Sequence, residues 1–287
     1  MYIWIISTLM FLVAFAGLVW KLAVVSQTPR KTAIDTKPDI PFEQVSFQSG
    51  TEKMAGWFIP AKTNQHEKSP LIILVHGWGS NRAKMKRYVK PIFEAGYALL
   101  LFDVRSHGES EEINAPTVKT FRDDVLAAVQ YAKTKKEVDP ERIGILAHSF
   151  GGFGSILANK NDIGVQAIVS DSSPAQISTI MKAALNKYKL PYFPFGPLIS
   201  KIMFVRAGIQ SKELKEFDVL HALRERKSPV LLIHSKRDDY VPSTELDFII
   251  ENVDLPHLYV DSKGHRSSES DPQFWQHVLP FFKQHLE

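Results

Sequence analysis

The sequence predicts an α/β domain, a mostly parallel eight-stranded sheet covered by helices, with an inserted lid and an N-terminal transmembrane helix. Three observations lead there. Short apolar runs alternate with segments of helical spacing from residue 71 onward. Several of those runs are continuously apolar, as strands buried on both faces must be. One uncharged apolar stretch, residues 2–20, stands apart from everything that follows.

That first stretch is rich in Ile, Leu, Val, Phe and Trp and continues past Lys21 through Leu22 to Val25. At about 1.5 Å of rise per residue it covers the roughly 30 Å of a bilayer's hydrocarbon core. A secretory signal would carry a basic leading region and a small-residue cleavage site, and residues 22–26 supply a poor one. The expectation is therefore a single-pass anchor over residues 1–25. Lys21, Arg30, Lys31 and Lys37 all follow the uncharged stretch, which puts the remaining chain on the cytoplasmic face. Residues 26–41, polar and containing Pro29, Pro38 and Pro41, are expected to be a tether that lifts the domain off the membrane and separates the two.

The domain is expected over residues 42–287. Runs at 42–48 and 54–60 flank Ser49-Gly50-Thr51-Glu52 and pair as a hairpin. A polar stretch, 61–70, leads to a buried strand at 71–75. A helix near 82–95 ends at Gly96 and feeds a strand at 97–102. Residues 121–136 place Val125, Ala128, Val129 and Ala132 on one helical face, and Asp139-Pro140 turns into a strand at 143–147. A helix of small residues follows Phe150. Strands at 167–170, 230–234 and 257–260, a helix near 243–250 and a terminal helix near 273–285 complete the alternation. Ligands in such sheets bind beyond the carboxyl ends of the strands. Residues 174–215 break the pattern. Their length, aromatics and apolar run at 198–205 predict a packed lid rather than a linker.

The chain has 287 residues, 44% hydrophobic and 23% charged, enough for one sizeable core. Its net charge of +4 is scattered along the sequence and marks no nucleic-acid surface. Absence of cysteine excludes disulfides, a thiolate nucleophile and thiolate metal sites.

The chemistry concentrates after the strands. Ala147-His148-Ser149-Phe150-Gly151-Gly152 joins a buried strand to a small-residue helix, which is a nucleophile elbow: the tight turn needs small neighbours and lifts the Ser149 hydroxyl clear of the sheet. The usual first glycine is Ala147 here. The Phe150 amide, at the helix N-terminus, faces a developing oxyanion. Val75-His76-Gly77-Trp78-Gly79 follows an earlier strand, where glycines allow close approach and the Trp78 amide is the second oxyanion donor. His76 reads as a structural histidine that fixes this loop. In His234-Ser235-Lys236-Arg237-Asp238-Asp239-Tyr240-Val241-Pro242 the orienting acid is Asp238, with Asp239 and Asp171 as rivals. Asp171 otherwise reads as a cap. In Asp261-Ser262-Lys263-Gly264-His265-Arg266 the base is His265, while His257, His277 and His285 read as exposed histidines.

With these motifs in order, residues 42–287 resemble the α/β-hydrolase superfamily, in particular its Bem46-like and prolyl-oligopeptidase-like serine hydrolases. Asp103-Val104-Arg105-Ser106-His107-Gly108-Glu109-Ser110 is similar to a further family motif, with Ser106 in place of a glycine. The resemblance implies a structural role for Asp103 and His107, and no cofactor and no metal.

The expected activity is hydrolysis of a small-molecule ester or thioester by a Ser149–His265–Asp238 triad through an acyl-serine intermediate. The anchor and the aromatic insertion favour an apolar acyl group, with Tyr192, Phe193 and Phe195 as substrate-binding residues in a Pro-rich run that cannot continue a helix. A peptidase or amidase would need a group gripping an amino terminus or a proline, and no such acidic pair is recognisable. A silent binding protein on this fold would be signalled by loss of a triad member, and all three are present.

Overall fold

The computed structural model describes residues 2–62 and 68–287. The polar stretch expected at 61–70 lies partly outside the described residues. Helix α1 (Tyr2–Ser26) is followed by strands β1 (Glu43–Ser49), β2 (Glu52–Ile59) and β3 (Ser69–Val75), helix α2 (Lys86–Glu94), β4 (Ala98–Phe102) and α3 (Val118–Thr134). Then come β5 (Val138–His148), α4 (Phe150–Ala158), β6 (Ala167–Asp171), α5 (Ile177–Lys187) and α6 (Tyr192–Arg206). The order closes with α7 (Val219–Arg224), β7 (Val230–Arg237), α8 (Thr244–Ile250), β8 (His257–Lys263) and α9 (Pro272–Leu286).

The described strands form one eight-stranded sheet in the order β1-β2-β4-β3-β5-β6-β7-β8. β1 pairs antiparallel with β2, and β2 with β4; every other pairing is parallel. Successive side chains of a strand face opposite sides, so a strand covered on both sides must be apolar throughout. In β3, Leu71, Ile73 and Val75 face α3 and α4, where Phe121, Val125, Phe153 and Leu157 pack on them. Ile72 and Leu74 face the other layer, with Tyr88 and Ile92 of α2 and Phe274 and Phe282 of α9. Each such buried side chain contributes roughly 1.5–3 kcal/mol. The carboxyl ends of β3, β5, β6, β7 and β8 therefore converge on one rim.

Two expectations need correction. Residues 26–41 are not a free tether, because they are docked along the domain. Asn81 Nδ2 donates to the carbonyls of Thr32 (2.9 Å) and Ala33 (3.0 Å). Lys84 pairs with Asp35 and Lys86 with Asp39, and Ile34, Ile40 and Phe42 pack on the α2–α9 layer. The sequence hid this because short polar segments with prolines read alike whether free or strapped down. The second correction concerns 188–197. The φ/ψ of Phe193 (−99°, 134°) breaks the backbone within α6, and regular helix follows through Pro194 and Pro197. Proline is tolerated in a helix's first turn, where its missing N–H has no partner to lose.

α1 is exposed over its first half and packed along one face of its second, where Leu18 and Trp20 stay exposed. Val19 and Ala23 are buried against Met181, Leu185 and Ile199 of the insertion. The buried Gln27 side chain donates to the Met203 carbonyl (3.0 Å) and accepts from Arg206 (2.6 Å).

Candidate active site

Ser149 sits at the end of β5 with φ 55° and ψ −123°, a conformation that L residues avoid. Hydrogen bonds hold the turn on both sides: the Ser149 amide donates to the Asp171 carbonyl (2.9 Å), and the Ser149 carbonyl accepts from Phe153 N (3.1 Å) and Ser173 Oγ (3.0 Å). Glycine at 151 is required by crowding, since a Cβ there would lie 2.5 Å from the Val75 carbonyl oxygen.

Ser149 Oγ lies 2.9 Å from His265 Nε2, and His265 Nδ1 lies 2.7 Å from Asp238 Oδ2. The carboxylate can only accept, so Nδ1 carries the hydrogen and the bare Nε2 faces the serine hydroxyl. Asp238 Oδ1 accepts from the amides of Tyr240 and Val241, both at 2.9 Å, and its side chain is fully buried. Burial by itself raises the Asp238 carboxyl, but the His265 hydrogen bond and charge and the two amides outweigh it and hold it below the ordinary carboxylate value. Asp239 is exposed, and its Oδ1 accepts from the His265 amide (3.1 Å). Asp171 is buried one strand earlier and takes hydrogen bonds from Tyr88 and from His148 Nδ1 (3.2 Å) rather than from His265.

The loop after β3 crosses directly over the serine. A Cβ on Gly77 would stand 2.9 Å from Ser149 Cβ, so only glycine fits. Trp78 and Phe150 line the same cavity as Ser149, their rings 5.6 Å apart, and the Phe150 amide is the first of the unpaired donors that a helix N-terminus offers. His76 is a fastener: its Nε2 accepts from Val104 N (3.0 Å) and its Nδ1 meets the Gly77 carbonyl (2.8 Å). Burial lowers it to about 4, which keeps it neutral. Asp103 likewise binds the amides of Arg82 (2.6 Å) and Glu109 (2.9 Å) and pairs with the Arg82 guanidinium. Ser106, where the related motif has glycine, adopts φ 67°; the position asks for a left-handed residue, and serine bears the strain.

Above Ser149 opens a cavity of about 910 Å³. The insertion supplies Ile177, Ile180, Met181, Ile199, Met203 and Phe204 to its walls. The expected substrate contacts do not. Phe193 is 78% exposed, Tyr192 lies under the Lys182 ammonium within the cluster that α1 and the insertion share, and Phe195 packs against α1, 5.7 Å from Phe15 between ring centroids. The helix that follows the break at Phe193 presents Ile199 and Met203 to the cavity instead.

Sequence reasoning missed two further parts of the site. Leu22, Val25, Ser26, Thr28 and Arg30, from the end of α1 and the turn after it, line the cavity. The apolarity of Leu22 and Val25 is what a membrane span also requires, and Ser26, Thr28 and Arg30 fall in the polar segment that reads as a tether. Arg30, Lys187, Lys263 and Arg266 form an exposed rim, against which Asp239 sets one acidic charge. These cations are far apart in sequence, and no run announced them.

The comparisons agree with this architecture. The family model described as "alpha/beta hydrolase fold" matches residues 70–193. An uncharacterized protein, YqkD, of Bacillus subtilis is 28% identical over 204 residues, 69% of this chain and 65% of its own length. The quorum-quenching protein AidA of Acinetobacter baumannii is 31% identical over 142 residues, 48% of this chain and 45% of its own. The chain thus spans less than two thirds of these relatives. Among solved structures, the esterase Pf2001 of Pyrococcus furiosus superposes with a TM-score of 0.72 at 22% identity, covering 90% of this chain and all of that one. The acylaminoacyl peptidase of Pyrococcus horikoshii reaches 0.65 at 19% identity, covering 86% of this chain and 42% of that one.

Proposed function

We propose that this chain, which has the α/β-hydrolase fold, is a membrane-anchored serine hydrolase that cleaves a carboxylic ester or thioester. The single observation that carries the reading is the unbroken hydrogen-bonded path from Ser149 Oγ through His265 to a buried carboxylate, at 2.9 and 2.7 Å. Ser149 attacks the acyl carbon while its proton passes to His265 Nε2. The carbonyl electrons move onto oxygen, where the amides of Trp78 and Phe150 receive the charge. Collapse breaks the bond to the leaving group, which takes the proton back from His265. Water, deprotonated by the same nitrogen, then releases the acid and restores Ser149. Asp238 stabilises the imidazolium in both halves without itself being protonated.

The anchor is part of the same reading. α1 is uncharged from Tyr2 to Trp20 and exposes Ile3, Leu9, Phe11 and Val13. A signal helix destined for removal has no reason to bury Val19, Ala23 and Gln27 in the fold or to line its cavity. Lys21, Arg30 and Lys31 favour a cytoplasmic hydrolase domain. The test is to label the full chain with a fluorophosphonate and assay it on graded acyl esters and thioesters. Labelling at Ser149 together with ester turnover is expected, and an unlabelled Ser149 in folded protein would sink the assignment.

A further inference from the structure

The cavity over Ser149 is walled by pieces of chain far apart in sequence. One is the insertion, through Ile180, Met181, Ile199 and Met203; another is the end of α1, through Leu22 and Val25. A helix that merely anchors has no need of the second contact. The depth of these contacts can be placed along α1. Lys21 is its first charge, so the nineteen residues before it, about 28 Å of helix, match the hydrocarbon core and set Lys21 at the interface. Phe15 lies six residues earlier, about 9 Å deeper, and it touches Phe195. The start of α6 therefore reaches below the level of Lys21. Apolar side chains that the insertion leaves exposed, Tyr188, Phe193, Leu198 and Val205, would be costly facing water and suit a surface set into lipid. Leu22 and Val25, just past Lys21, stand where the leaflet ends and the cavity begins.

We propose that the substrate is an acyl ester resident in the bilayer, and that the last turn of α1 forms one wall of its acyl site. The chain of the substrate passes from the leaflet along the seam between α1 and α6 into the cavity, without crossing water. That route matters because each methylene exposed to water on the way lowers the equilibrium population by about fourfold. The proposal rests on the serine-hydrolase reading of Ser149 and names the substrate class for that site.

The test uses the full chain in phosphatidylcholine vesicles. Turnover of a long-chain methylumbelliferyl ester dissolved in the vesicles is compared with turnover of the soluble butyrate ester. Leu22→Trp with Val25→Trp, which fills the α1 wall, should lower the vesicle-to-soluble rate ratio by at least about tenfold, the equivalent of some two methylenes of lost depth. Leu9→Trp with Leu12→Trp, on the exposed half of α1, should keep the parental ratio. An unchanged ratio in the first pair overturns the proposal. A second measurement needs no variant: a long-chain fluorophosphonate with a diazirine at its far end is delivered in the same vesicles and irradiated once bonded to Ser149. Crosslinks within residues 22–30 support the proposal; crosslinks found in other segments and none in 22–30 overturn it. Failure to bond Ser149 at all overturns the serine-hydrolase reading and this proposal with it, so the two failures are distinguishable.

Discussion

His148 and His265 lie ring against ring, centroids 4.7 Å apart, yet each gives its Nδ1 hydrogen to a different carboxylate: His265 to Asp238, His148 to Asp171. Two histidine–aspartate pairs thus stand side by side at the sheet's rim, and it is His265 whose second nitrogen meets Ser149. Burial brings His148 down to about 3, so it stays neutral and adds no positive charge beside His265.

Asp238→Asn should accordingly cut kcat on a soluble ester by roughly four orders of magnitude, because the amide no longer enforces the productive tautomer. Asp171→Asn should change kcat by less than about tenfold and instead weaken the fold by roughly 1–3 kcal/mol, since Tyr88 and His148 lose a charged acceptor. Steady-state rates and urea midpoints on both variants separate the roles. A larger kcat loss at Asp171 would exchange the assignments.

Ser149→Ala should abolish turnover and fluorophosphonate labelling while keeping the urea midpoint at or above that of the parent. The side chain makes its contact with His265 from a backbone at φ 55°, a strained geometry that adds nothing to stability. An unfolding free energy lower than the parent's by several kcal/mol would mean the hydroxyl is structural.

Acid should reveal the buried histidines. Burial lowers His76 to about 4 and His107 and His148 to about 3, against 6.5 for a free imidazole. Between pH 6.5 and about 4 the unfolded chain therefore binds protons at these positions that the folded chain refuses, and each site subtracts stability as pH falls through that window. Asp124, raised by burial to about 6, opposes them with one proton taken up by the folded state. His107→Asn, which can still donate to the Arg105 carbonyl, removes one proton from the difference. Its stability should fall less steeply with acid than the parent's, by up to about 1.4 kcal/mol per pH unit. Parallel slopes would show that His107 titrates normally in the fold.

The cavity rim should favour anionic esters. Arg30, Lys187, Lys263 and Arg266 against Asp239 leave an excess of three positive charges there. Lys187→Glu with Arg266→Glu should lower kcat/KM for a carboxylate-bearing ester several-fold more than for its neutral analogue, and added salt should narrow the gap. Equal losses on both esters would remove the rim from substrate selection.

The sheet, its order of elements and the three residues at its rim were legible because each rests on a local rule: continuous apolar runs for two-sided strands, a small-residue turn for Ser149, and loops just past β7 and β8 for Asp238 and His265. What stayed hidden was tertiary. Residues 26–41 are polar and proline-bearing, and nothing local tells a strap from a tether; their docking depends on partners such as Asn81, 49 residues beyond Thr32. Tyr192, Phe193 and Phe195 read as a pocket wall because aromatics in an insertion often are, but nothing local tells a ring that lines a cavity from one that packs on a neighbouring helix, as Phe195 does on Phe15. Leu22 and Val25 carried a membrane pattern that left no residual signal for a second role.

Asn81 holding Thr32 and Ala33 also decides how the domain is mounted. A body hung from a slack cord swivels through every heading and spends most of its time facing the wrong way. Here the cord is pinned along its length, by Lys84 to Asp35 and Lys86 to Asp39 as well, so the domain keeps one heading relative to α1. With α1 seated in a bilayer, encounters become two-dimensional. Turnover should follow the mole fraction of substrate in the leaflet rather than its amount in the tube, and diluting the vesicles at fixed composition should leave the rate per enzyme unchanged.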